Sequence, residues 1–289
     1  MMPTGEISNA APVKIERMST ACLLAIGGLD PSGGAGLPAD ARAAAAFGAH
    51  CCGVATAIVA QNTRGVAAIE PVSPTLLAAQ LDNLLDDIAP RAVKIGMLPN
   101  AAAVRIIVER LPRTGSTPVV IDTVFAPSSG LRFAHDETVR AIIENLLPRA
   151  ALVTPNIPEA ERLIGAPIVD RDAMRAAAQL IHERYGPRCV LLKGGHLPVA
   201  ADNIASGAEV ICDALDVFYD GTQCIEMRLP RTSNPTTRGT GCMLASAIAA
   251  QCAQGTAVLD AAWRAKAWLA EEIKNAQDIG HGRRVAVWR

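Results

Sequence analysis

The stretch "RGTGCMLASAIAA", Arg238 to Ala250, places a Gly-Thr-Gly sequence and a cysteine before a run of small apolar residues. If Thr240 caps a helix here, the first backbone amides, which have no intrahelical acceptor, point toward an anion. The helix dipole would also lower the pKa of Cys242 from about 8.5 towards neutrality, making it able to accept a proton from a hydroxyl. The alternative is a small buried thiol at a tightly packed helix start. The chemical interpretation predicts an anion hole and a proton acceptor formed by Gly239, Thr240, Gly241 and Cys242.

A second candidate segment is "GGLDPSGGAGLPAD", Gly27 to Asp40, which carries five glycines in its first ten residues. Glycines let the backbone approach a ligand closely. The segment matches neither G-x-x-x-x-G-K-[ST] nor G-x-G-x-x-G, so the usual phosphate and dinucleotide fingerprints are absent. A flexible surface turn, with Asp40 near a helix start, is the alternative.

Polar side chains also follow two predicted strands. Gln61 and Asn62 in "VAQNTRG" offer amides that could pair with the edge of a heterocycle, although Gln-Asn at a strand end is also typical of turns. Lys193 in "LLKGGH" ends a buried strand, where it could lie against phosphate oxygens or simply reach solvent.

Asn156 and Glu159 in "TPNIPEAERL" stand three residues apart at a predicted strand-to-helix junction. This spacing resembles a capping box, worth about 1 kcal/mol and without catalytic meaning. It could also organise waters around Mg²⁺, which keeps its own waters and needs few direct protein ligands. The spacing alone favours the cap.

The order of apolar runs indicates how these segments are positioned. Short strands without polar alternation, such as "ACLLAIGG", "GVATAIVA" and "AVKIGML", alternate with segments of helical period, which predicts a parallel sheet covered on both faces. Ser73 is the predicted N-cap of one helix, with Pro74 in its first turn. Asp220-Gly221 between two β-rich runs predicts a hairpin in the C-terminal third. Ligands of such α/β sheets bind beyond the carboxyl ends of the strands, where the candidate segments lie.

The composition narrows the functional class. The chain has 289 residues, 50% of them hydrophobic, and a net charge of -1, so no general electrostatic attraction to nucleic acid is expected. The eight cysteines lack regular spacing and support neither a disulfide framework nor a zinc site, which suits a reducing cytoplasm. No apolar stretch reaches the about 18 residues of a membrane span. We expect a flexible leader over residues 1–19 and one domain over 20–289.

Several motifs in this order resemble the ribokinase-like superfamily, and specifically the hydroxymethylpyrimidine/phosphomethylpyrimidine kinases of thiamin biosynthesis. The motifs span roughly Leu23 to Leu269, and they are "GLDPSGGAG", "AFGAH", "VAQNTRGV", "VKIGML", "VVIDTV", "LVTPNIPEAERLIG", "LLKGGHL", "DVFYDG" and "RGTGC". The resemblance implies a three-layer α/β/α fold and ATP- and Mg²⁺-dependent phosphorylation of 4-amino-5-hydroxymethyl-2-methylpyrimidine and then of its monophosphate. It also implies a homodimer.

The resemblance assigns roles to single residues. Gly28 and Gln61 would contact the aminopyrimidine, between apolar walls formed by Met97 and Val124. Asn156 and Glu159 match the Asn-x-x-Glu motif for phosphate and metal, with Glu159 acting on the metal through water. Lys193 would lie near the nucleotide phosphates, Gly239, Thr240 and Gly241 would form the anion hole, and Cys242 stands where many relatives carry an aspartate base.

Three positions differ from the usual family pattern: Pro38 replaces a glutamine, Ser128 a lysine and Arg238 a histidine. Two other functions remain open at this point. One is a pyridoxal kinase of the same branch, which also phosphorylates a hydroxymethyl group on an aromatic nitrogen ring. The other is a pyrimidine-binding sensor without turnover, which the retained Gly-Thr-Gly-Cys, Asn-x-x-Glu and Lys193 disfavour.

Overall fold

The computed structural model describes residues 20–125, 135–195, 213–231 and 237–287. These residues form a nine-stranded sheet in the order β3-β2-β1-β4-β5-β6-β7-β8-β9. The strands are β1 (Cys22–Leu29), β2 (His50–Gln61), β3 (Val66–Pro71), β4 (Ala92–Ile95), β5 (Val119–Ile121), β6 (Leu152–Val153), β7 (Val190–Lys193), β8 (Asp213–Tyr219) and β9 (Cys224–Pro230). Six neighbouring strands pair in parallel, in the order β2, β1, β4, β5, β6 and β7. The three remaining strands, β3, β8 and β9, are antiparallel to their neighbours.

Eight helices accompany the sheet in the described residues. They are α1 (Gly36–Ala46), α2 (Pro74–Asp87), α3 (Ala101–Arg110), α4 (Asp136–Asn145), α5 (Ile157–Ile164), α6 (Arg171–Tyr185), α7 (Thr240–Ala253) and α8 (Val258–Lys274). Short polar side chains start several of them. The Ser73 hydroxyl accepts a hydrogen bond from the Leu76 amide at 3.3 Å, which confirms the predicted N-cap of α2.

Two apolar clusters place the helices in layers on opposite faces of the sheet. Leu24, Ile26 and Val93 point to the face covered by α2 to α6, whereas Leu23 and Ala92 point to the face covered by α1, α7 and α8. The alternation follows from the two-residue period of a strand. The predicted three-layer α/β/α class with a mostly parallel sheet is therefore confirmed.

The second layer is built largely from alanine. α7 is buried along almost its whole length, and alanines of α1 and α8 pack against it. Small side chains allow these helix backbones to approach closely, and they leave little room for larger groups. The alanine abundance of the sequence therefore reflects close helix packing.

The sheet differs from the sequence-based prediction at one edge. The segment Val66–Pro71, which the sequence did not reveal as a strand, pairs with β2 in antiparallel fashion. Its residues are mostly exposed, so it lacks the continuous apolar run that marks the buried strands. The hairpin predicted at Asp220-Gly221 is confirmed by the pairing of β8 with β9.

Some predictions fall on residues outside the described ranges. The leader of residues 1–19 and Ser128 are among them, so the division into a leader and one domain over 20–289 stays a prediction. Within the described ranges, no helix has the length and apolar character needed to cross a membrane.

Candidate active site

A cavity of about 1010 Å³ opens at the carboxyl ends of the parallel strands. Every site residue predicted from the sequence lines it: Gly28, Gln61, Met97, Val124, Asn156, Glu159, Lys193, Gly239, Thr240, Gly241 and Cys242. The residues come from β1, β2, β7, α5, α7 and the loops after β4, β5 and β6. The parallel arrangement explains this convergence, because it brings the carboxyl ends of distant segments to one edge.

One end of the cavity is apolar and tightly built. A β-carbon at Gly28 would lie 2.7 Å from Met97 Cε and 3.3 Å from Val59 Cγ2, so a larger residue would fill this end. Thr56 donates a hydrogen bond to the Met97 carbonyl at 2.7 Å and fixes the loop after β4. Met97, Val59 and Val124 pack together there. The result is a flat apolar slot beside Gln61, the last residue of β2.

The opposite wall is the N-terminus of α7. Gly239 is the N-cap, with φ of +73° in the left-handed region, and Thr240 is the first helical residue without a side-chain capping bond. The prediction that Thr240 itself caps the helix is therefore wrong, because the chain turns at Gly239. A β-carbon at Gly239 would lie 1.9 Å from the Gly34 carbonyl oxygen. The amides of the first turn have no intrahelical acceptor, and Gly239, Thr240 and Gly241 line the cavity. Their role as an anion hole stays a prediction.

Cys242 lies in this first turn, but its protonation differs from the prediction. Burial raises the pKa of its thiol to about 12, against a lowering by Lys94. The prediction of a pKa near neutrality is wrong, because desolvation of the thiolate outweighs the helix N-terminus. The neighbouring Asp122 and Asp40 carboxylates raise the pKa of the thiol further.

Asp122 and Lys193 form an ion pair on the cavity floor. Lys193 Nζ lies 3.0 Å from Asp122 Oδ1, and Asp122 is 3% exposed. Burial raises the pKa of Asp122, but Lys193 and Lys94 outweigh it and hold the pKa below its usual range. Asp122 is not among the site residues predicted from the sequence. An aspartate directly after the apolar strand "VVI" was the signal that could have identified it.

Asn156 and Glu159 form the capping box of α5. The Glu159 amide donates to Asn156 Oδ1 at 2.9 Å, and the Asn156 amide donates to Glu159 Oε2 at 2.8 Å, which confirms the capping interpretation. Thr123 also donates to Glu159 Oε2, at 3.1 Å. Burial raises the pKa of Glu159 to about 7, against a lowering by Lys193. The same pair lines the cavity, so capping does not remove it from the site.

A second ion pair, Lys94 with Asp40, lies beneath α7. The Lys94 side chain is 1% exposed, and its Nζ lies 2.8 Å from Asp40 Oδ1. The sequence placed Asp40 near a helix start, whereas it is fully buried inside α1. A lysine inside the apolar run "AVKI" was the overlooked signal, because a buried charge needs a partner.

The structure also explains the arginine before the anion hole. Arg238 Nη1 donates to the Asn62 carbonyl at 2.6 Å, and its Nε lies 3.9 Å from Asp30 Oδ2. The Arg238 amide donates to the Arg284 carbonyl at 2.9 Å. Arg238 thus joins the glycine-rich loop, the loop after β2 and the C-terminal segment.

Two other predicted positions have local structural roles. The Asn62 side chain accepts a hydrogen bond from the Arg64 amide at 2.8 Å, so the turn interpretation is confirmed for this residue. Pro38 lies in the first turn of α1, where a missing backbone N–H removes no helical hydrogen bond.

Comparison with known proteins gives the family. A family model described as phosphomethylpyrimidine kinase matches residues 30–286. A hydroxymethylpyrimidine/phosphomethylpyrimidine kinase of Rhizobium meliloti (strain 1021) is 40% identical over 266 residues, covering 91% of this chain and 95% of that protein. Bifunctional thiamine biosynthesis proteins also match, and the chain spans about half of their length.

Solved structures give a similar result for the fold. A phosphomethylpyrimidine kinase from Clostridium difficile 630 is 34% identical with a TM-score of 0.73, over 88% of this chain and 100% of that one. A Staphylococcus aureus pyridoxal kinase in complex with AMP-PCP is 27% identical with a TM-score of 0.82, over 93% of each chain. The predicted family and ribokinase-like fold are confirmed. The ordered motifs, the sheet and the cavity agree with the family model and with these relatives, and this chain belongs to the phosphomethylpyrimidine kinase family.

Proposed function

We propose that this chain phosphorylates 4-amino-5-hydroxymethyl-2-methylpyrimidine and its monophosphate with ATP, in thiamin biosynthesis. The observation that carries the proposal is the convergence of all eleven predicted site residues on one cavity. Membership of the family supports it, as do the names of the relatives that span nearly the same length. The AMP-PCP and ADP complexes of structural neighbours support ATP as the phosphoryl donor.

In this proposal one end of the cavity binds the pyrimidine, and the end at α7 is where the phosphoryl group is transferred. Gln61 pairs with the edge of the aminopyrimidine, while Gly28, Met97 and Val124 hold its ring in the apolar slot. The hydroxymethyl group then lies toward α7, and its oxygen attacks the γ-phosphorus as ADP leaves. The hydroxyl proton passes to the sulfur of Cys242, which must first lose its own proton to accept it. The amides of Gly239, Thr240 and Gly241 stabilise the charge on the transferring phosphoryl group.

Lys193 is the cation of the nucleotide side. It ends β7 and remains paired with Asp122, so its ammonium is held at the cavity floor before any nucleotide arrives. A fixed cation needs no reorganisation when negative charge moves during transfer. Asn156 fixes the loop between β6 and α5 through the capping box. In this proposal it lies near the nucleotide phosphates.

The donor set fits magnesium held mainly through water. Glu159 is a buried carboxylate on the cavity wall whose ionisation is disfavoured by burial, and a nearby divalent cation would favour its charged form. Among the described residues there is no cluster of three or more His, Cys, Asp or Glu that could enclose a metal. Glu159 would therefore bind the ion through its waters. Bound Mg²⁺ would neutralise charge on the nucleotide phosphates.

Pyridoxal phosphorylation is a second candidate, and a specific observation favours it. The pyridoxal kinase structures superpose on this chain with TM-scores of up to 0.82, above the 0.73 of the phosphomethylpyrimidine kinase. Both substrates carry a hydroxymethyl group on an aromatic nitrogen ring. The shape of the apolar slot therefore does not by itself distinguish pyridoxal from the pyrimidine.

ADP release with the pyrimidine, its monophosphate and pyridoxal, measured side by side on the full chain, tests the proposal. We expect higher kcat/KM for the pyrimidine and its monophosphate than for pyridoxal. The reverse preference would identify a pyridoxal kinase. Binding of the pyrimidine by calorimetry without ADP release would identify a sensor. A Gln61→Ala variant is the matched control, because it should impair the pyrimidine reaction while leaving the anion hole intact.

The surroundings of the enzyme are part of the proposal. We propose a cytoplasmic setting and a homodimer that binds small molecules, with no affinity for nucleic acid. The free cysteines among the described residues suit a reducing compartment. The net charge of -1 gives no attraction to a polyanion.

A further inference from the structure

The ion pair of Lys94 and Asp40 is costly where it lies. Both side chains are at most 1% exposed, between the central sheet and the alanine-rich helices α1 and α7. Removing two charges from water costs several kcal/mol per ion, and an apolar pair of similar volume is often equally stable or better. Asp40 Oδ2 has no hydrogen-bond partner among the described residues, which increases the cost. Stability therefore does not explain the pair.

The pair is attached to the helix that carries Cys242. Ser246 Oγ donates to Asp40 Oδ1 at 2.8 Å, the same oxygen that Lys94 Nζ contacts at 2.8 Å. Cys242 and Ser246 are four residues apart in α7, so they lie on one face of the helix, one turn apart. Cys242 is thus one turn from the ion pair, on the side toward the cavity.

Lys94 also reaches the cavity itself. It lines the cavity together with Cys242. A β-carbon at Gly96 would lie 2.8 Å from Lys94 Nζ, so the glycine leaves the space that the ammonium occupies. The ammonium is therefore held at the cavity wall by Asp40 of α1, which also bonds to Ser246 of α7.

We infer that Lys94 is a positioning residue for Cys242, a buried cation that favours the thiolate form and is held by Asp40, to which Ser246 of α7 also donates. The inference rests on the proposed role of Cys242 as proton acceptor. Lys94 does not need to contact the substrate for this role. It acts by placing positive charge near a sulfur atom whose pKa burial raises, so that ionisation of the thiol costs less than it would without the cation.

The charges around Cys242 agree with this role. Two anions oppose the thiolate, Asp40 from α1 and Asp122 after β5. Among the cations, Lys94 is the one that lowers the pKa of the thiol most, against the larger effect of burial. The other cations that interact with the thiol are Lys193 on β7 and Arg238 before α7. Lys94 therefore offsets part of the burial that raises this pKa.

Alkylation of Cys242 by iodoacetamide tests the inference, because the rate follows the thiolate fraction. The rate is measured by mass spectrometry on the full chain between about pH 7 and 10. We expect Lys94→Met to slow alkylation at least about threefold, since one pKa unit changes the thiolate fraction about tenfold. Asp40→Asn should accelerate it similarly, because the asparagine oxygen can still accept from Lys94 Nζ while the carboxylate charge that raises the pKa of the thiol is lost. Lys94→Arg should restore most of the rate.

The opposite signs separate electrostatics from structural damage. Circular dichroism reports folding of each variant, and if Lys94→Met does not fold, the direction of Asp40→Asn decides. Lys266→Met is the matched control, since Lys266 forms another buried ion pair on the same cavity, 2.6 Å from Asp216. It should leave the alkylation of Cys242 unchanged. Three results would overturn the inference. They are an alkylation rate that changes equally in Lys266→Met, an unchanged alkylation rate in folded Lys94→Met, and slower alkylation of Cys242 in Asp40→Asn.

The pH dependence of kcat separates this inference from the proposed function. If both hold, the variants move the kcat profile in the same direction as the alkylation profile. If alkylation shifts and the kcat profile does not, Lys94 still favours the thiolate but Cys242 is not the proton acceptor. If the wild-type chain does not phosphorylate the pyrimidine, the proposed function is contradicted, and the alkylation result is unaffected.

Discussion

Lys193 Nζ and Asp122 Oδ1 lie 3.0 Å apart, joining the end of β7 to the residue after β5 across the intervening β6. The pair holds a cation at the cavity floor, next to the first turn of α7. A β-carbon at Gly241 would lie 3.3 Å from Lys193 Nζ and 3.5 Å from Asp122 Oδ2, so the anion hole and the ion pair are in contact range.

Asp122→Asn should weaken the nucleotide side of the reaction. The amide keeps the shape of the carboxylate but removes the charge that holds Lys193, so the ammonium loses its fixed position. We expect the KM for ATP to rise about tenfold, equivalent to about 1.4 kcal/mol of binding. Steady-state kinetics with varied ATP measures this. Thr154→Val is the matched control, because it removes two long hydrogen bonds of Thr154 Oγ1, 3.4 Å to the same carboxylate and 3.5 Å to the Ile121 carbonyl, and leaves the charge of Asp122 in place. An unchanged KM in Asp122→Asn would contradict the prediction.

Cys242→Ala should lower turnover more than binding. The substitution removes the proposed proton acceptor and leaves the backbone amides of the anion hole in place. General base catalysis contributes about 100-fold or more, so kcat should fall by about that factor with little change in KM. The control is Cys252→Ala, at the far end of the same helix. Near wild-type turnover of Cys242→Ala would exclude the proton-accepting role and leave the family assignment intact.

Gly239→Ala should disrupt both the fold of the loop and the anion hole. Its φ of +73° costs an alanine about 1 kcal/mol, and the β-carbon would lie 1.9 Å from the Gly34 carbonyl oxygen. We expect a lower melting temperature and a larger loss of kcat. Thermal unfolding and ADP release measure the two effects. Gly255→Ala offers a matched control at another positive φ, +89°, with no atom within 4 Å, where only stability should fall.

Glu159 should make stability depend on pH in metal-free buffer. The unfolded chain loses this proton near pH 4.5, whereas burial raises the pKa in the folded chain to about 7, against a lowering by Lys193. Between these two pH values, Glu159 binds more protons in the folded state than in the unfolded state. Its contribution to the free energy of unfolding is therefore fully present below about pH 4.5 and falls as the pH rises to about 7. The loss is about 3 kcal/mol at most.

Glu159→Gln provides the comparison for this dependence. Glutamine keeps an oxygen that can accept from the Asn156 amide, so the capping box survives without a titrating group. The melting temperature of the variant, relative to wild type, should therefore rise between pH 5 and pH 8 in EDTA. A difference that stays constant over this range would show that Glu159 does not titrate there.

The order of strands and helices could be predicted because it depends on local patterns. Buried strands such as "CLLAI" and "AVKI" are apolar along their whole length, and the Asp-Gly turn between β8 and β9 is a local signal. The strand Val66–Pro71 could not be predicted, since it is an exposed edge that gains its hydrogen bonds only from β2. The positions of candidate segments relative to the strand ends also identified the cavity wall correctly.

The protonation states and partners of the site could not be predicted in the same way. The sequence placed Cys242 at a helix N-terminus, where a dipole lowers a thiol pKa, but burial has the larger effect and raises it. The ion pair of Lys94 and Asp40 joins residues 54 positions apart, and no local pattern links them.

The sequence by itself determined the family, the α/β class, the order of the elements and the residue types at the strand ends. Those properties follow from short-range periodicity and from motifs in a fixed order. Only the tertiary structure decided that Gly239 rather than Thr240 is the N-cap of α7, that Asp122 holds Lys193, and that Arg238 joins two loops to the C-terminal segment. These relationships depend on close approach and desolvation, which arise when segments distant in the chain pack together.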